Sequence, residues 1–590
     1  MRSQTKANLV CVAPLRRWVW LCQHGRICHV QSESLPTGFF LFFTTTMTIF
    51  SRPIRRTVVS LSIAVTSLMC SNFSSAANFC PTIYNKGNLP LKFMPGFAHV
   101  DRYADGDGLT ISSFLNAGRN PNPGPPFVFF ERDLVARIPA LSTLSASTFD
   151  PLKQVQVLSD ISTPTAPKTV WPNEAERLPS GMLPFDGLIV PQGFISAAKP
   201  GRLSIINLSA TTKTEYLVHQ STQSAGSPQD PANSPRAYHK VLFLDMDGDG
   251  LKDIVTVRSG FRVGATTYPP YGELVYFKNP GSALKADVAW KETVLWGGSI
   301  AGFLGPDITL AAADFDKDGN LEIVATHFFS NAGAGGPPTA GKIVLYGAPL
   351  GGKWRDVNLA TGRVPRIKEI STDQGFPFGL QIIDLNRDGK LDVLASNHAP
   401  DNCTPQTSSV VPGRVYALQM PKDGKIFSSP WITHILQDNI RPNPSLPGAT
   451  GGGRLAPGKA QAFFTHRSLE SVNKPQIVVG GDEAGKVWLL RAQSNSDVNN
   501  WNYDVGLVFD INQTYGASTT QTPIASGPAV GRTKSTIGGI ALRYNSSGYT
   551  EMYVPVYEAQ DIRMFSWQYL GSQNAVPCLQ TAVLACPVVK

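Results

Sequence analysis

The chain has 590 residues, 53 of them glycine and 46 proline, and only 16% are charged; this argues against a helix-rich fold and suits a loop-rich all-β protein. The formal charge of +9 is concentrated at one end: residues 1–76 carry eight Lys or Arg against one Glu, a net +7, which leaves the remainder near +2. No basic patch remains that would recruit nucleic acid.

The first residues, with Trp18, Trp20, three cysteines and the run GFFLFF, show neither periodicity nor the repeat found later. Residues 1–46 therefore read as an upstream leader ahead of a true start at Met47, either a gene-model artefact or a disordered extension. A bipartite targeting sequence is the functional alternative. Residues 47–76 read as a signal peptide, because Arg52, Arg55 and Arg56 precede the apolar run TVVSLSIAVTSLMC. Small residues at Ser74 and Ala76 place cleavage before Ala77, and Leu68 and Met69 ahead of Cys70 argue against a lipoprotein. The apolar run, about 14 residues, is too short to cross a bilayer, so the chain is expected to be secreted, extracellular and without a membrane span. Cys80, Cys403, Cys578 and Cys586 remain, and an even count in an exported chain predicts two disulfides, with the pairing open.

From residue 77 to residue 572 the chain repeats with a period near 70. Glycine opens a β-rich run at Gly201 (GRLSIINL), Gly272 (GELVYF), Gly341 (GKIVLYG), Gly413 (GRVYAL) and Gly485 (GKVWLL). Acidic segments keep the same beat: DMDGDGLKD from Asp245, DFDKDGNLE from Asp314 and DLNRDGKLD from Asp384. Each unit reads strand, acidic loop, strand, glycine-rich loop, strand, then a fourth run such as ETVLW or WITHIL. Four strands per unit at a fixed period predict an all-β, seven-bladed β-propeller over residues 77–572, in which each blade exposes apolar faces that only its neighbours cover. DGDGLTISS with PFVFFERD marks a degenerate first blade; GLIVP at Gly187, PQIVVGG around Gln476, and NSSGYTE with DIRMFSW fill the remaining places. Residues 573–590 form a tail holding the last two cysteines.

The acidic segments carry the chemistry. Calcium takes six to eight oxygen ligands, and alternate carboxylates on a tightly turning loop supply them. Positions 1, 3, 5 and 9 are Asp245, Asp247, Asp249 and Asp253 in the first copy; Asp314, Asp316, Asp318 and Glu322 in the second; Asp384, Asn386, Asp388 and Asp392 in the third. Position 7 (Leu251, Asn320, Lys390) offers its backbone carbonyl, so its side chain varies. The pattern predicts about three structural Ca²⁺ sites. It is no EF-hand, because strands rather than helices flank each loop and the glutamate at position 12 is missing. A polar turn without metal is the plainer alternative.

A calcium loop joining two strands and repeated along the chain resembles the FG-GAP/VCBS repeat of integrin alpha propellers and many secreted proteins. That resemblance implies a calcium-stabilised propeller whose ligands bind on the face opposite the loops. Some copies depart from the pattern. Asp105 marks a fourth, degenerate candidate. Ser468, Glu470 and Val472 cannot hold calcium as the intact copies do. Position 1 of the last copy is Arg543, which either replaces the cation by pairing with Glu551 or leaves the loop empty.

GRLAPGK at Gly453–Lys459 is one residue short of a phosphate-binding loop and has Ala460 where Ser or Thr is needed, so it reads as a glycine-rich surface loop. Five residues beyond position 9, the three intact copies reach Arg258, His327 and Asn397, with His398 next. Polar residues at one place in successive blades either line a shared axial pocket or cap strand ends. The expected function is an extracellular binding or adhesion module for a glycan or a surface protein. The alternative is a carbohydrate-active enzyme, a carbon–oxygen lyase or dehydratase by resemblance, with His327 or His398 as base and Arg258 stabilising an enolate.

Overall fold

In the computed structural model, residues 10–12, 21–23, 27–29 and 40–42 are described at the N-terminal end. From 82 to 568 all are described except 115–132, 161–168, 170, 194–200, 212, 221–235, 261–270, 298–304, 329–340, 401–410, 443–454 and 516–535; residues 575–576 and 579–580 follow. The chain divides into two units, Met1–Phe73 and Ser74–Lys590. In the first, Val10–Val12 pairs with Phe40–Phe42 and Leu21–Gln23 with Ile27–His29, both antiparallel. The expected signal-peptide segment and all four later cysteines lie outside the described residues.

The second unit is a ring of seven four-stranded antiparallel blades, as the period predicts. Blade 3 shows the pattern: Arg236–Leu244, Asp253–Gly260, Tyr271–Lys278 and Lys291–Gly297 pair in sequence order. The other blades begin with Pro95–Tyr103 (blade 1), Glu176–Arg177 (2), Leu310–Ala313 (4), Pro377–Ile383 (5), Ala460–Phe463 (6) and Ala541–Tyr544 (7). First strands touch one another from blade 3 through blade 6 and from blade 7 through blade 1 to blade 2, and so surround the axis. Among the described residues, helix is confined to Pro151–Gln154, Ile511–Tyr515 and single 3₁₀ turns. The third strand of blade 1 is Leu134–Ile138, just after the PFVFFERD run, most of which lies outside the described residues.

Side-chain alternation along the strands builds the core. In blade 4, Ile323 and Ala325 pack against blade 3 while Val324 faces blade 5. Seven apolar clusters result, each shared by two adjacent blades, the seventh joining blade 7 to blade 1 through Leu109, Ile111, Tyr553 and Ile562. The recurrent glycine also has a packing cause. A Cβ on Gly272 would stand 2.4 Å from the Gly305 carbonyl, and one on Gly413 2.5 Å from that of Ala456, where the chain enters the next blade.

The ring closes through its two ends. Blade 7 consists of Ala541–Tyr544, Thr550–Val556 and Asp561–Gln568, and its fourth strand is Thr82–Pro90 from the start of the unit. Ala575–Val576 adds to that strand, and Leu579–Gln580 adds to the outer strand of blade 6. At the same seam Arg543 donates to Glu551 Oε2 from Nη2 at 2.5 Å and from Nε at 2.9 Å, while Lys86 reaches Glu551 Oε1 at 2.8 Å. Arg543 also meets Asp107 of blade 1 at 3.3 Å. The guanidinium thus stands where position 1 of an acidic loop would contribute to a metal, and pairs with position 9. The two side chains are 7% and 6% exposed, so removing one partner strands a buried charge. Arg543→Ala should cost about 3 kcal/mol, because breaking a buried pair costs about 3–5 kcal/mol and Lys86 still compensates part of it. Urea unfolding should give the same loss in calcium and in chelator; a loss confined to chelator would mean that the guanidinium does not replace a metal.

Candidate calcium loops and the axial cavity

The three intact acidic segments share one conformation. Position 4 is left-handed in each (Gly248, Lys317 and Arg387, φ 77°, 59° and 65°), and so is position 6 (Gly250, Gly319 and Gly389, φ 86°, 84° and 85°). Glycine at position 6 avoids the strain that a side chain would bring to such a backbone. The position 6 amide donates to the position 1 carboxylate in each copy, at 2.9 Å to Asp245, 3.1 Å to Asp314 and 3.0 Å to Asp384. The position 7 amide donates to position 5: Leu251 to Asp249, Asn320 to Asp318 and Lys390 to Asp388. Position 9 is buried and accepts the amide of position 2: Asp253 from Met246, Glu322 from Phe315 and Asp392 from Leu385.

These turns bring carboxylates together. Oxygens of Asp245, Asp247 and Asp253 lie within 4.8 Å of one another, as do those of Asp314, Asp316 and Glu322. Glu322 Oε1 is buried with no hydrogen-bond partner, and its nearest cation, Arg366 Nη2, stands 3.6 Å away. Burial raises the Glu322 carboxyl to about 7, and Asp316 and Asp318 add to the rise. A hard divalent cation fits this donor set: all oxygen, mostly anionic, and short of positive charge. The third copy holds Asp384, Asn386, Asp388 and Asp392 in the same backbone. The copies differ in one respect, because the Lys278 ammonium pairs with both Asp247 and Asp249 of the first loop.

Blade 1 has no such loop. A tight turn through Ala104 and Asp105 joins its first two strands, and Asp105 pairs with Arg137. In blade 6 a 3₁₀ turn, Arg467–Leu469, takes the place of the loop, and Arg387 of blade 5 donates to the carbonyls of Ser471 and Asn473. The protein's own cations therefore serve blades 6, 7 and 1, and the acidic loops lie on blades 3, 4 and 5.

The three residues expected to share an axial pocket are drawn to different partners. Arg258, fully buried, faces Glu273 across the sheet at 2.5 Å and forks onto Glu292 at 2.8 and 2.6 Å. His327 Nε2 lies 2.7 Å from the Tyr346 hydroxyl, with its ring nearly parallel to the tyrosine. Only His398 joins the axial end. Its Nδ1 donates to the Pro457 carbonyl at 2.9 Å and its ring stacks on Phe378 at 4.6 Å. Burial lowers His398 to about 4, so it is neutral at pH 7. From Phe328 and Phe376, aromatic contacts continue through Phe378 and His239 to Phe97.

Beside Phe97 lies a cavity of ≈ 280 Å³ on the axis, lined by the first strands of blades 1, 2, 3, 5, 6 and 7. Alternation sends Glu174 and Glu176 of blade 2 to one face, and likewise Lys459 and Gln461 of blade 6. The Lys459 ammonium pairs with Glu174 across the axis. Burial pushes Glu174 up, but the charges of Lys459 and Lys240 outweigh it and bring the carboxyl down to about 2. Glu176 has no such partner, and burial raises it to about 7, with His99 and Lys240 opposing. Burial works against charging His99, yet the hydrogen bond from its Nδ1 to Asp101, at 3.0 Å, raises its pKa overall. His239 is lowered to about 4 by burial, and its Nδ1 has no hydrogen-bond partner.

Sequence reasoning missed this cluster. Glu174 and Glu176 sit in WPNEAERLP, which has no strand signal, and Lys459 ends the segment set aside as a phosphate-loop mimic. Lys459 instead stands at the entry to the first strand of blade 6 and serves the axis.

No family model matches the chain, and no curated protein matches it either. Solved structures with a similar course include an α-L-arabinofuranosidase mutant from Fusarium graminearum bound to an iminosugar inhibitor, at 11% identity and TM-score 0.35, covering 82% of this chain and 97% of that one. The Dos1 propeller is 9% identical with TM-score 0.35, covering 83% and 97%. The soluble aldose sugar dehydrogenase of Escherichia coli is 11% identical with TM-score 0.33, covering 70% and 98%. Likeness at this level carries no argument about chemistry.

Proposed function

We propose that the protein is a secreted, calcium-stabilised propeller of the FG-GAP/VCBS kind that binds an extracellular glycan at its axis. The observation that supports the binding site is the axial cavity itself, walled by strands, edged by Phe97 and carrying ion-paired and unpaired polar groups together. Pockets for small molecules combine such concavity with a few convergent polar groups, and aromatic rings at the edge suit the apolar face of a sugar. Among the described residues no helix is long and apolar enough to cross a membrane. A surface protein remains the other ligand class for the same end of the ring.

Calcium in this reading builds the loops of blades 3, 4 and 5. Asp245, Asp247, Asp249 and Asp253, with their counterparts in the next two blades, would hold it, and the ion would neutralise the clustered carboxylates. At about 1 mM calcium each site should add about 0.4–1.4 kcal/mol, given affinities of about 10⁻⁴–10⁻³ M for extracellular modules. Chelator should therefore lower the melting temperature, and Asp316→Ala should remove part of that response. Identical melting curves with and without chelator would end the calcium reading.

One observation favours an enzyme instead. Glu174 and Glu176 share a cavity, yet one carboxyl is brought down to about 2 and the other raised to about 7, the division of roles that acid–base pairs use. Incubation with a panel of polysaccharides separates the two readings: binding predicts retention without new reducing ends or unsaturated product. Product that forms with the parent protein and disappears in Glu176→Gln would establish the enzyme.

The same group sets a pH dependence. A carboxyl raised from 4.5 to about 7 holds its proton more tightly in the folded state. Its contribution is thus full below pH 4.5 and is lost as pH rises through about 7. Glu176→Gln, which cannot ionise, should melt higher than the parent at pH 8 and show no such gain at pH 4. Equal differences at both pH values would contradict the burial of this carboxyl.

A further inference from the structure

Among the groups lining the axial cavity, some are committed to the ring itself. Gln381 accepts from the Ala462 amide at 2.6 Å and donates to its carbonyl, and Gln461 donates to the Ile540 carbonyl at 2.8 Å, so these amides join neighbouring first strands. Lys459 and Glu174 satisfy one another. His99 uses Nδ1 on Asp101 and keeps Nε2. Two side chains are left over. Among the described residues, neither the Lys240 ammonium nor the Glu176 carboxyl has a hydrogen-bond or ion-pair partner. Desolvating a charge without compensation is costly, and unpaired charges in a walled cavity are the usual mark of a ligand site.

The structure assigns this cavity, we infer, to a single sugar-acid residue, its carboxylate on Lys240 and its hydroxyls on Glu176 and His99. This deepens the glycan reading above and rests on it. Three features select the class. One free ammonium matches one carboxylate, while a dianionic phosphate would face Glu174 and Glu176 at close range. Phe97 gives the cavity an apolar edge for the carbon face of a pyranose. At ≈ 280 Å³ the space falls at the lower limit of ligand pockets, about 300–1,000 Å³, which fits one ring rather than a chain segment.

Binding of free hexuronates that differ in hydroxyl stereochemistry, measured by titration of the intact protein in calcium, tests the assignment. Neutral hexoses and hexuronate methyl esters serve as controls. At least one uronate should bind, its ester and the neutral sugar at least about tenfold more weakly, as loss of a charge-assisted pair requires. Lys240→Met should weaken uronate binding by a similar factor while still unfolding in a single cooperative transition. Glu176→Gln should retain the carboxylate preference and lose stereochemical selection. Equal binding of uronate and ester, or an unchanged affinity in Lys240→Met, overturns the inference. Retention of neutral polysaccharides with no uronate binding refutes the sugar acid alone; no retention of any glycan refutes the glycan reading as well.

Discussion

Everything in this molecule depends on closure of the sheet ring, and closure depends on one antiparallel pairing. Thr82–Pro90 lies against Asp561–Gln568, with Pro90 opposite Asp561 and Thr82 opposite Gln568. Each blade has two apolar faces, and a row of blades would leave one exposed at each end. The pairing converts a row into a ring, so that the cluster around Leu109, Tyr553 and Ile562 is covered like the other six. Ile83, Tyr84 and Leu89 on the closing strand are all buried, which ties the closure to the core and not to backbone hydrogen bonds alone.

Closure also creates the axis. The first strands meet around it, and where they carry short side chains, as Leu310–Ala313 does with its three alanines, the wall is plain. Where they carry Glu174, Glu176, Lys240 and Lys459, charges from three blades meet in one walled space. The divergence of the two glutamates follows from that setting. Both are half-buried; one pairs with an ammonium and the other does not.

The sequence made the blades legible and the axis illegible for one physical reason, the range of the contacts. An acidic loop is read within nine residues, because its turns, its position 6 glycine and its carboxylates all act on one another locally. The recurrent glycine is nearly as local, since it marks where each blade meets the next. Lys459 and Glu174, by contrast, are 285 residues apart and meet only once the ring has closed. At the strand ends a single residue separates two environments. Arg258 and His327 turn into their own sheets, whereas Phe328 and His398, each just beyond its strand, join the axial rings. A period of two makes a shift of one position a change of face.

The closing strand has a consequence for how the protein is made. Lys86 and Glu551 are 465 residues apart, yet they form one ion pair at the seam. Until blade 7 is complete, the first blade has no neighbour to cover one of its apolar faces. The strand that will complete blade 7 must wait unpaired through that whole interval. Long-range pairing of this sort is slow, and an unpaired strand is an open edge for the wrong neighbour. The ring cannot close until residue 568 is free, and any shorter chain carries both an unpaired strand and an open apolar face.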